Sequence, residues 1–207
     1  MALTFYWRFE NSSTLDGTHD FSAGDTVATD NASPAYSGAT FKVGSYSGSY
    51  PAASASHRFD PASIISSGGP GGSSAGAVAF WFYTSSGRLT DRELFFYARG
   101  TASANDAIAL RCGAGNTMYL YHRNATNGAA TLAHASTLSD STWYFVVFAW
   151  DSTATSRRLS LYDSAGAEIG TTVEDTSTNF TNNLAANLTS RFQLGDNTGS
   201  GPFGFVD

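Results

Sequence analysis

Clusters of Gly, Ser, Thr, Asn and Asp separate short aromatic-rich segments along the whole chain, and this punctuation constrains the fold more than any other feature. No stretch of useful length carries the apolar spacing of an amphipathic helix, so the segments read as strands of an antiparallel β protein. The clearest span 4–9, 77–84, 93–98, 107–111, 117–122, 143–150, 158–162, 191–194 and 203–206. Several are continuous apolar runs rather than alternations, the pattern of a sandwich interior, so two packed sheets are expected. Gly113-Ala114-Gly115-Asn116 supplies the positive φ angles of a tight reversal and should pair 107–111 with 117–122. A second reversal at 163–166 joins 159–162 to 168–170, and 151–156 joins the long strand to it, making a three-stranded meander. The Gly/Ser-rich stretch 66–74 reads as a surface loop, because the 65 residues before it hold too few strands to close a core. Residues 1–207 are therefore expected to form a single domain.

Composition removes several classes of function. Only 14% of the 207 residues are charged, but 14% are aromatic, so the chain can bury enough apolar surface to fold. Its net charge is −6, and its ten arginines and one lysine, Lys42, are scattered, which leaves no basic stripe for a nucleic acid. Cys112 stands alone and can form neither an intramolecular disulfide nor a cysteine-based zinc site. The first ten residues lack the basic and apolar regions of a secretory signal, so the expectation is either that the chain starts mature or that it leaves the cell by another route, such as lysis. The longest apolar run, 143–150, is too short to span a membrane as a helix, so no membrane insertion is expected.

Six segments, in order, resemble the laminin G-like, concanavalin A-like jelly-roll family found in bacterial and phage surface proteins. They are Tyr6-Trp7-Arg8-Phe9-Glu10, Ala77-Val78-Ala79-Phe80-Trp81, and Glu93 to Gly100. Then come Leu138 to Asp151, Leu159 to Asp163, and the pair Phe192-Gln193-Leu194-Gly195 with Phe203 to Asp207. The chain departs from the family in having Tyr144 and Phe145 after Trp143, where histidines are usual, and in stopping at Asp207, so that either the last strand is unusually short or these residues are part of a longer polypeptide. The resemblance implies an all-β, antiparallel two-sheet jelly-roll sandwich. Its core would hold Phe80, Phe82, Leu120, Phe145, Val147 and Leu161, with Trp7, Phe9, Leu94, Phe96 and Leu194. It also makes the first and last strands neighbours, placing 203–206 beside 4–9.

Catalytic patterns are sparse. Retaining glycosidases need two carboxylates about 5 Å apart, and no closely spaced Glu/Asp motif on one strand is visible. Asp91-Arg92-Glu93 reads more simply as solvated turn charge. Arg88 to Glu93 does not fit a lyase pattern. The histidines His19, His57, His122 and His134 occur singly, without the spacing that brings two imidazoles to one ion. The chain is therefore expected not to be an enzyme, with a polysaccharide lyase or glycoside hydrolase on the same fold as the alternative.

The resemblance further implies a structural calcium ion, which takes oxygen ligands from loops. Glu10 and Asp207 would supply it if the terminal strands pair; otherwise they are solvated strand-end carboxylates. For sugars, aromatic rings that pack against C–H faces must stand beside polar groups. The best candidate surface is Tyr119-Leu120-Tyr121-His122-Arg123-Asn124, where alternation puts Tyr119 and Tyr121 on one face, with Arg123 and Asn124 as polar partners. The same tyrosines could instead face the opposite sheet or a neighbouring chain. The expected function is a binding or assembly module, a decoration or fibre protein of a phage virion that self-associates symmetrically as a homo-oligomer. A lectin-like adhesion module whose partners are surface glycans is the alternative, and a virion surface or other extracellular assembly the expected location.

Overall fold

The computed structural model describes residues 28–31, 35–45, 47–50, 56–59, 75–84, 92–98, 107–113, 115–124, 128–151, 156–176, 191–195 and 204–206. Every regular element among them is a strand. In chain order these are β1 (Ala28–Asn31), β2 (Ala35–Ser37), β3 (Ser47–Tyr50), β4 (Ser56–Phe59), β5 (Ala75–Thr84), β6 (Arg92–Ala98) and β7 (Ala107–Gly113). They continue with β8 (Thr117–Asn124), β9 (Gly128–Thr137), β10 (Trp143–Asp151), β11 (Ser156–Tyr162), β12 (Val173–Asp175), β13 (Arg191–Gly195) and β14 (Gly204–Val206). No helix among the described residues is long and apolar enough to cross a membrane.

The strands form two seven-stranded antiparallel sheets, as expected. The first runs β1-β4-β13-β6-β7-β8-β9 and the second β12-β11-β10-β5-β14-β3-β2. The reversal at 113–116 forms as expected. Gly115 and Asn116 adopt φ of 77° and 59°, Asn116 donates its N–H to the Gly113 carbonyl, and β7 pairs with β8. The turn at 163–166 forms too, with Gly166 at φ 85° and the Asp163 carboxylate accepting the N–H groups of Ala165 and Ala167. The third strand of that meander is mainly β12, because 168–170 contributes only a single bridge, Tyr162 to Glu168. The expected loop 66–74 lies outside the described residues.

Two expectations need correction. The late strand β14 lies inside its sheet, paired with β5 on one edge and β3 on the other. Both of its hydrogen-bonding edges are taken, so Gly204–Val206 has none left for 4–9, which lies outside the described residues. The second correction concerns the phase of β10. Tyr144, Val146, Phe148 and Trp150 are buried and face the core, whereas Phe145 and Val147, expected inside, alternate outward and are half-buried. Register explains the phase. Tyr144 is paired with Phe82 and Val146 with Phe80, so the inner faces of β10 and β5 coincide, and slipping β10 by one residue would turn its inner set outward. The Tyr144 ring stacks on Phe82 at 5.6 Å, and its hydroxyl accepts the N–H of Ser139 at 2.7 Å, which gives that buried polar atom a partner.

From the other sheet Ile108, Leu110, Met118, Leu120 and Leu132 complete the core. Fully burying a side chain such as Phe82 or Phe148 contributes about 1.5–3 kcal/mol. Trp150 fits because it lies opposite Gly76, where a Cβ would come within 2.5 Å of its ring. Along one side of the sandwich β9, the edge of the first sheet, comes against β11 and β12 of the second.

Candidate functional site

A sheet in a two-layer sandwich has one covered face, so a strand that is apolar at every position must present apolar side chains outward. β5 and β10 do this. On the outer face of the second sheet Phe145 stands opposite Trp81 on one side and Tyr162 on the other, with ring centroids 5.1 and 6.1 Å apart. One step along the strands, Trp143 stands opposite Tyr83 at 5.4 Å. All five rings are half-buried. In the opposite direction along the strands the face falls away to small side chains, with Ala77 and Ala79 exposed and Ala149 and Ser160 half-buried. The result is an aromatic ridge above a low floor.

Polar groups flank the ridge at both ends. Beside Tyr162, the Glu168 carboxylate accepts the Thr172 N–H at 2.9 Å and the Thr172 hydroxyl at 2.7 Å. Both bonds go to Oε1, and Glu168 is solvent-exposed. The Thr172 hydroxyl also lies 2.6 Å from that of Ser160. At the Trp81 end the Lys42 ammonium sits 4.6 Å from the indole centroid and donates to the Ser164 carbonyl at 2.7 Å. The segment that carries it is folded by local bonds: the Ser37 hydroxyl accepts the N–H groups of Ala39 and Thr40, and Gly44 takes φ 73°. Phe41 and Val43 on the same segment are exposed at 42% and 55%, so the apolar surface continues beyond the ridge.

The tyrosines singled out from the sequence lie on the other sheet. Tyr119 and Tyr121 do share a face, and it is the outer one, because Met118 and Leu120, which alternate with them, are buried. The Arg111 guanidinium lies 4.6 Å from the Tyr121 ring centroid, a partner that sequence reasoning missed. Gly113 lets the Tyr119 ring pass closely, since a Cβ there would meet it at 2.6 Å. Arg123 and Asn124 belong to β8 and pair with β9, but their side chains lie outside the described residues. Glu10 and Asp207 lie outside them as well. Among the described residues no three His, Cys, Asp or Glu side chains gather as a metal site would require, and the strand pairing meant to unite the two carboxylates is not the one that β14 makes.

A family model described as the concanavalin A-like lectin/glucanases superfamily matches residues 61–204. The chain belongs to this superfamily. Among solved structures, domain 4 of AbnA, a GH43 extracellular arabinanase from Geobacillus stearothermophilus in complex with arabinotriose, aligns over 99% of this chain and 89% of its own, with a TM-score of 0.69 and 19% identity. The enzymatically active domain of tailspike protein 2 of bacteriophage CBA120 aligns over 87% of this chain with a TM-score of 0.60 and 12% identity. The full-length tailspike protein 2 of an Escherichia coli O157:H7 bacteriophage aligns over the same share, with a TM-score of 0.58 and 10% identity. This chain spans about a quarter of each tailspike chain, 27% and 24%. No curated protein sequence matches it. At these identities the likeness establishes the lectin/glucanase fold. It also corrects the expectation that the chain is not an enzyme: the superfamily includes glucanases by its own description, and the fold recurs in a domain of an arabinanase and in an enzymatically active tailspike domain.

Proposed function

We propose that this domain binds a carbohydrate chain on the outer face of its second sheet, along the ridge formed by Tyr162, Phe145 and Trp81. The observation that carries the reading is the succession of rings and polar groups across one surface. Three half-exposed aromatic rings on adjacent strands lead into the hydrogen-bonded Glu168, Thr172 and Ser160. Aromatic faces take up the C–H surfaces of sugars, and a carboxylate beside hydroxyls accepts and donates hydrogen bonds to sugar hydroxyls. The arabinotriose in the complex of AbnA domain 4 supports this ligand class.

Isothermal titration with neutral oligosaccharides tests the proposal. Trp81→Ala and Glu168→Ala should each weaken binding at least about tenfold, equivalent to ~1.4 kcal/mol, while Tyr121→Ala on the opposite face leaves it unchanged. Loss of binding in Tyr121→Ala alone would move the site to the first sheet.

The tailspike likeness favours a more specific setting, outside the cell on the surface of a phage particle. Labelling of intact particles by an antibody to this chain would support that setting, and its absence from purified particles would rule it out.

A further inference from the structure

His134 is 1% exposed, faces inward from β9, and is the only ionisable side chain on that strand. Its Nδ1 accepts the backbone N–H of Ser136 at 3.2 Å, so the neutral ring carries its proton on Nε2. Nε2 is buried without a hydrogen-bond partner among the described residues. A second proton must enter at Nδ1, where it would confront an N–H that can only donate. The ring is covered by residues 168–172. Gly170, at φ 68°, lies so close that a Cβ there would be 3.2 Å from His134 Cε1 and 2.6 Å from Ser136 Oγ. A proton added at Nδ1 therefore meets a donor instead of an acceptor, and the close cover leaves the ring little room to turn away.

Among the described residues the charged groups around this point are few. Glu168 begins the covering segment. The Arg157 and Asp175 pair, from β11 and β12, reaches β9 at the Ala130 carbonyl. On the first sheet the inward neighbours are Met118 and Leu120 of β8 and, on β7, the buried Cys112. Burial lowers the His134 pKa below its ordinary 6.5 and outweighs Glu168 and the Thr171 backbone, which favour the charged ring.

We propose that His134 is an acid-sensitive latch, whose protonation releases residues 168–172 from β9 and disorganises the Glu168–Thr172 end of the outer face. The folded ring titrates below the free value, so the open or unfolded state binds more protons between the two. The closed edge is fully stabilised above pH 6.5 and loses stability as the pH falls from there toward the folded value. Over that window the opening equilibrium grows by up to about tenfold per pH unit. The consequence for ligand rests on the carbohydrate reading, in which Glu168 and Thr172 are the polar end of the site; the latch itself does not.

Hydrogen exchange at about pH 7.5 and about pH 5, corrected for intrinsic rates, reads the latch directly. In the wild type the amides of Ile169–Thr172 should lose protection on acidification while those of β10 keep theirs, and in His134→Gln this pH dependence should vanish. Should His134→Gln fail to fold, NMR titration of the wild-type ring serves instead: a midpoint below 6.5, with the Ser136 and Thr171 amides moving in step, supports the latch. A ring that titrates at its ordinary value, or a cover whose protection is pH-independent or equally pH-dependent in the variant, overturns it. Oligosaccharide binding measured at both pH values separates the two readings. Acid-weakened affinity alongside an opened cover supports both, whereas an opened cover with unchanged affinity removes Glu168 and Thr172 from the site and leaves the latch standing.

Discussion

Arg157 on β11 donates to the carboxylate of Asp175 on β12, and the arginine is only 2% exposed. Its other amino nitrogen donates to the Ala130 carbonyl on β9 at 3.4 Å, so one guanidinium ties the edges of the two sheets together. The next residue makes the contrasting pair. Arg158 points outward, 60% exposed, and meets Glu174 at 3.1 Å. Hydrogen bonds from Arg158 and then Ser156 hold the Glu174 carboxyl below its ordinary value of 4.5. Its contribution is therefore present above pH 4.5 and lost as the pH falls below it.

These neighbouring pairs should respond differently to mutation. Removing one partner of a buried pair leaves an uncompensated charge, at a cost of about 3–5 kcal/mol. Asp175 is 25% exposed, which places Asp175→Ala near the lower end. Urea denaturation should show that loss for Asp175→Ala and almost none for Glu174→Ala. Equal losses would mean that Arg157 does not hold the edge.

Phe145 and Phe148 lie on the same strand but on opposite faces, and this tests the phase of β10. Phe148 is fully buried, so Phe148→Ala should cost about 3–5 kcal/mol. Phe145→Ala removes a half-exposed ring from the outer ridge and should cost about 1 kcal/mol, the scale of its aromatic contacts. Thermal denaturation of the two variants checks the order, and a larger loss at Phe145 would invert the strand.

Much of this was legible in the sequence wherever local chemistry was decisive. The turn at 113–116 was, because positive φ at Gly115 and Asn116 is what those residues permit. The shared face of Tyr119 and Tyr121 was too, since Met118 and Leu120 alternate with larger, partly polar side chains. The phase of 143–150 was not: every residue in it is apolar, so a period of two leaves no mark, and the pairing with β5 decides. For the same reason the outer ridge was missed, although an unbroken apolar run in a two-layer fold implies an apolar outside. β9 was missed because Gly128–Thr137 is mostly alanine and other small residues, with Leu132 and His134 its only buried side chains of any size. The long-range neighbours of β14 could not be read from three residues whose partners lie far away in sequence.

The central claim is that the outer face of the second sheet takes up carbohydrate, and backbone amide chemical-shift mapping during titration with a neutral oligosaccharide tests it most directly. Shifts concentrated on Trp81, Phe145, Tyr162 and Glu168, with β7 and β8 unmoved, are the predicted result. Shifts confined to Arg111, Tyr119 and Tyr121, or no shifts at saturating concentrations of a panel of neutral oligosaccharides, would contradict it.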